Sequence, residues 1–159
     1  MAFARDAQIR GMVRVLHGLW IAFLAATVAY FVIAAVIAGR RGDRFAPMAD
    51  LRSVKPIFWI IGALGLGLAL LLRRRLLLRA FGDRDAALIG VQAALVVGWA
   101  ATEAVAILGL VLVLLGGQVL DAAPFFLASF VVVVWQRPTV GWLQKKMEEF
   151  AGGPTRIPH

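Results

Sequence analysis

Four stretches of this chain, residues 15–38, 56–72, 86–115 and 119–135, run almost without a charged side chain, and nearly all the Lys, Arg, Asp and Glu fall in the gaps between them. This segmentation constrains the fold more than any single residue does. A soluble domain of this size has too little interior to hide so much apolar side chain, because the share of surface buried on folding falls with length. A bilayer reverses the problem. About 20 apolar residues cross its hydrocarbon core as a helix, and a helix satisfies its backbone N–H and C=O groups within the segment itself. The composition agrees, with 62% hydrophobic residues and a mean hydropathy of +0.85. An ordinary cytosolic enzyme, a disordered tail and a disulfide scaffold are excluded. A transmembrane β-barrel is excluded too, because its strands read as alternating segments of about ten residues.

The expected fold is therefore an all-α integral membrane protein, four transmembrane helices in an up-down bundle. Residues 1–137 form the membrane domain, and 138–159 a short amphipathic surface helix with a loose tail. Pro56 sits where a helix start tolerates it, Gly82 with Asp83 and Asp85 offers caps before the third run, and Gly116 and Gly117 stop it. Asp121 is a cap for the fourth, with Pro124 in its first turn. The third run exceeds the hydrocarbon thickness and must tilt or protrude, while the fourth is short. The first run, at 24 residues, is too long for the apolar core of a cleaved signal peptide.

Lys and Arg set orientation. With four spans, the N-terminal tail, the second gap and the C-terminal tail share one side and hold twelve, against five in the first gap. Both termini are thus expected in the cytoplasm. The net charge of +8 becomes a basic membrane face rather than a nucleic-acid surface. Its natural partner is the bilayer with its anionic headgroups, and Arg73, Arg74, Arg75 and Arg79 are the headgroup candidates. After Pro138, Thr139 caps a helix in which Leu143, Met147 and Phe150 share one face.

One acid lies deep in the third run. Insertion scales put a carboxylate at the helix centre at about +2.5–3.5 kcal/mol, while each Leu, Ile, Phe or Val returns about 0.3–0.6. Glu103 therefore needs a reason to be there. No Lys or Arg lies inside any of the four runs, so an ion pair is not expected. At about 1.5 Å per residue, Tyr30 and Thr27 on the first helix fall near its depth. Thr102 and Trp99 are its helix neighbours, and Ser129 on the fourth helix is a further candidate. Gly90, Ala94, Gly98 and Thr102, and Gly65 with Ala69, follow the small-xxx-small spacing of closely packed membrane helices.

Residues 98–111 read Gly-Trp-Ala-Ala-Thr-Glu-Ala-Val-Ala-Ile-Leu-Gly-Leu-Val. This segment resembles the carboxylate-bearing helix of the rotary ATP synthase proteolipid, the c subunit, and the resemblance implies that Glu103 carries a proton or sodium ion. The overall layout, with Arg137-Pro138-Thr139 after the fourth run, resembles an uncharacterised family of small bacterial four-span membrane proteins. That likeness implies a multi-pass protein of the bacterial inner membrane and no particular activity.

Two readings follow. In the first the protein is a non-catalytic membrane protein, structural or an assembly subunit, either homo-oligomeric or bound to a membrane partner. Glu103 in its neutral form then donates an interhelical hydrogen bond. In the second it is a proton- or cation-translocating subunit with Glu103 as the carrier. An enzyme is not expected, because nothing resembles a nucleophile–base pair or a carboxylate dyad. With no cysteine and two histidines, one of them terminal, neither a metal centre nor a cofactor site is expected.

Overall fold

A computed structural model describes residues 2–41, 51–82 and 87–151 of the chain, and among them every regular element is a helix. The helices are α1 (Ala2–Arg41), α2 (Leu51–Gly82), α3 (Ala87–Leu114), α4 (Val119–Trp135) and α5 (Val140–Ala151). The caps expected at residues 83 and 85 and the tail at 152–159 lie outside the described residues.

The helices outrun the apolar segments that nucleate them. α2 is 32 residues long where the apolar run is 17. Its continuation through Arg73-Arg74-Arg75-Leu76-Leu77-Leu78-Arg79 consists of Leu and Arg, both strong helix formers, with no Gly, Pro or Asn to interrupt it. Because α2 starts at Leu51, Pro56 falls in its second turn rather than at its start, where it forfeits one backbone hydrogen bond.

α3 stops as the two glycines require. Gly117 N–H donates to the Leu112 carbonyl at 2.9 Å and Gly116 N–H to Val113 at 3.0 Å, a Schellman closure with Gly116 at φ 107°. A Cβ on Gly117 would lie 2.7 Å from the Leu112 carbonyl oxygen. Asp121 caps α4, though from its first turn rather than from the cap position. The cap is Gln118, whose N–H donates to the Asp121 carboxylate at 3.0 Å.

Three helices, over Ile9–Arg40, Ser53–Arg79 and Ile89–Leu114, are long and apolar enough to cross a membrane, and α4 adds a shorter apolar helix. The outward side chains of α1 and α2, among them Val28, Val32, Leu64 and Leu68, are exposed. Lipid is the solvent that accommodates them, so the chain is a helical membrane protein.

The helices alternate in direction, and α3 is the axis of the bundle. α1 and α4 pack on α3 and on each other, whereas α2 packs along α3 and meets α4 only locally. Among the described residues the backbones of α1 and α2 do not come close to each other, so the four helices do not close into a ring. Phe125 of α4 is the wedge that joins three of them. It lies against Gly62 of α2 and Gly109 of α3, both of which lack the Cβ that would collide with it.

α5 folds back under the bundle. Leu143 is buried with Ile9, Leu16, Val91, Leu95 and Trp99, and Leu77 packs alongside. This cluster puts the start of α1, the end of α2 and α5 at one end of the molecule. The apolar face expected to rest on the membrane surface is, at Leu143, buried in the protein.

Candidate functional site

Glu103 sits on the flank of α3 that faces α1, half-buried. The small residues Ala34 and Ala106 are fully buried where α1 and α3 meet, and Tyr30 packs beside them. That approach brings the Tyr30 hydroxyl to Glu103, where it donates to Oε1 at 2.9 Å. The phenol is long enough to cross the gap between two helices, and its O–H is a natural partner for a carboxyl oxygen.

The shorter hydroxyls nearby stay on backbone. Thr27 Oγ1 donates to the Phe23 carbonyl of its own helix at 3.0 Å, and Thr102 Oγ1 donates to Gly98 at 2.8 Å. Ser129 Oγ donates to the Thr102 carbonyl at 3.0 Å, a bond that fastens α4 to α3 rather than to the carboxyl. Trp99 is fully buried, its ring tilted on Phe23 at 5.9 Å. Of the five supporting candidates, the fold brings Tyr30 to Glu103 and commits the three hydroxyls elsewhere. Among the described residues no group of three His, Asp or Glu could hold a metal ion. Chemically the site is one carboxyl held by one phenol.

The four headgroup candidates separate. Arg74, Arg75 and Arg79 are exposed, but Arg73 turns inward. Its aliphatic stem lies on α3 at Gly98, with Cδ 3.1 Å from where a Cβ would stand. Helical spacing carries the signal: Gly62, Leu66, Ala69 and Arg73 follow at intervals of four, three and four residues along the stripe that faces α3.

Two further features were not anticipated. Trp20 Nε1 donates to the Val133 carbonyl at 2.7 Å, and Arg137 stands over the same indole at 5.7 Å. Together they tie α1 to the end of α4 through an amphipathic ring. At the opposite end, Lys55 and Asp121 pair at 2.7 Å, with 32% and 25% of their side chains exposed. Such a part-exposed pair contributes little, so Lys55→Ala should lower stability by less than about 1 kcal/mol. The loss should shrink further in high salt. Denaturation of both forms at two ionic strengths checks this.

Fold and site together define a helical membrane protein with a single phenol-bound carboxyl between two of its helices. No family model, curated protein or solved structure matches the chain.

Proposed function

We propose that the protein is a non-catalytic, multi-pass protein of the bacterial inner membrane that serves as a structural or assembly subunit. Both termini lie in the cytoplasm, and Arg74, Arg75 and Arg79 meet anionic headgroups there. Glu103 acts as a clasp, fastening α1 to α3 through Tyr30. The observation that carries this reading is the 2.9 Å bond itself, taken with the neighbouring hydroxyls, which donate to backbone carbonyls and offer the carboxyl no onward route.

A double-mutant cycle tests the clasp. Interhelical hydrogen bonds in membranes contribute about 0.6 kcal/mol on average and up to about 2. Tyr30→Phe and Glu103→Ala should each cost an amount in that range, and the double variant little more than either alone. Glu103→Gln should be close to wild type, because its amide oxygen still accepts. Strictly additive losses would remove the clasp.

The second reading, an ion carrier, draws on the partial exposure of Glu103 and on the resemblance of residues 98–111 to the proteolipid helix. It requires proton or sodium flux in liposomes that Glu103→Gln abolishes while the protein stays folded. The clasp reading expects the same flux from both forms.

A further inference from the structure

Four buried side-chain polar atoms have no hydrogen-bond partner among the described residues: Arg73 Nε, Trp99 Nε1, and both Nε2 and Oε1 of Gln136. Trp99 and Gln136 are 0% and 2% exposed. Such orphans are rare in folded proteins, and each calls for a physical explanation. These lie at one end of the bundle, the end that carries α5.

Their placement follows from the helix registers. Arg73 lies on α3 at Gly98. Ser129 of α4 bonds the carbonyl of Thr102, one turn along the same stripe of α3, so Arg73 and α4 flank a common edge of that helix. Running seven residues on from Ser129 brings Gln136 level with Leu95, about 4–5 Å along the axis from Gly98. Trp99 is the next residue of α3. Leu143 of α5 is buried in the same cluster as Leu95 and Trp99. Arg73 and Gln136 thus flank the corner between α2, α3 and α4, with the indole of Trp99 at the same level.

The chemistry of the corner is one-sided. Arg and Trp nitrogens only donate, and the Gln amide adds further donors against a single acceptor oxygen. The acids whose side chains are described are occupied elsewhere, Glu103 with Tyr30 and Asp121 with Lys55. A donor-rich cluster containing a guanidinium fits an oxyanion, and the planar fork of Arg suits phosphate in particular. Sequence position narrows the source. Arg73 is the first charged residue past the apolar run 56–72, and a long basic side chain at the end of such a run reaches toward the lipid phosphates that border it. Basic pockets between helices at that level take anionic headgroups.

We propose that the corner formed by Arg73, Gln136 and Trp99 is a binding site for a phosphate oxyanion, presented by an anionic lipid headgroup. It is distinct from the exposed Arg74, Arg75 and Arg79, which meet the headgroup layer without a pocket.

The test uses the full chain in nonionic detergent and follows thermal unfolding with added phosphatidylglycerol, phosphatidylcholine, or inorganic phosphate alone. Phosphatidylglycerol should raise the midpoint of the wild type saturably, and phosphatidylcholine should do so less. Arg73→Gln should raise the half-saturating amount about tenfold or more, the effect of losing a charge-assisted hydrogen bond. Arg74→Gln and Arg75→Gln remove the same charge and should change it far less. A full shift from inorganic phosphate would assign the corner to the free anion instead of the lipid.

Gln136→Leu keeps every charge and provides a second readout. It should be at least as stable as wild type without lipid, since it removes buried polar groups that lack partners, yet it should respond more weakly to phosphatidylglycerol. Equal lipid responses in wild type, Arg73→Gln and Gln136→Leu would overturn the site. So would loss of lipid-free stability in Gln136→Leu with an unchanged lipid response, which would mark the corner as a water site.

Discussion

Gly109→Val is expected to break the seat of α4 on α3 and to lower the unfolding free energy by about 3 kcal/mol or more, at the upper end of the cost of overpacking a core. A Cβ at this position would stand 2.9 Å from Phe125 Cβ, 3.3 Å from the Ala122 carbonyl oxygen and 3.3 Å from Phe126 Cζ. The first two neighbours cannot rotate away, because one is fixed to the backbone and the other belongs to it. The helices must separate, and the Phe125 wedge then loses Gly62 as well. Gly65→Ala is the control. Its nearest neighbour would be Val105 Cγ2 at 3.5 Å, an ordinary contact, and replacing a helical Gly with Ala removes about 0.5–1 kcal/mol of unfavourable backbone entropy. Unfolding in mixed micelles should rank Gly65→Ala at or above wild type and Gly109→Val far below. Similar stability for the two variants would refute close glycine packing as the basis of this interface.

That contrast shows which information the sequence carried. The spacing of small residues announced close helix approach but did not say which glycine would meet which partner. The expected stripe at Gly90, Ala94, Gly98 and Thr102 does face inward along most of its length, with Ala94, Gly98 and Thr102 buried. The wedge, however, uses Gly62 and Gly109. A pattern on one helix fixes a face, and its partner depends on how four faces settle together. An apolar run is only part of the helix that contains it. Arg and Leu extend a helix whether or not lipid surrounds it, so hydropathy marks the part of α2 that crosses the bilayer and not its length.

Glu103 was legible as the anomaly, and depth matching put both Tyr30 and Thr27 within its range. Side-chain length decides between them. A threonine in an apolar helix satisfies its hydroxyl on the carbonyl four residues back, as Thr27 and Thr102 both do, whereas a tyrosine cannot reach its own backbone and must look across. Charge alone groups Arg73 with Arg74 and Arg75, whereas helical spacing from Ala69 turns it toward α3 and leaves them exposed. Leu143 was correctly put on an apolar face. What covers that face is a tertiary fact, since Ile9 and Leu16 lie more than a hundred residues away in sequence.

Trp99→Ala should be the most damaging truncation at the end that carries α5. The indole is fully buried and belongs to a cluster that joins α1 (Ile9, Leu16), α3 (Val91, Leu95) and α5 (Leu143), with Phe23 tilted against it. In a soluble core a buried Trp→Ala costs about 3–5 kcal/mol, part of it transfer from water and part the cavity left behind. Within a bilayer the transfer part largely disappears, because lipid tails are as apolar as leucine. This cluster takes in Leu143 of an amphipathic helix, so some of the transfer part remains. A loss of about 2–4 kcal/mol follows. It should be accompanied by faster hydrogen exchange along α5, whose Leu143 belongs to the same cluster. Trp99→Phe keeps most of the ring and removes the buried N–H, and should cost about 1 kcal/mol or less. If Trp99→Ala unfolds at the wild-type midpoint with α5 exchange unchanged, α5 is held by something other than this cluster.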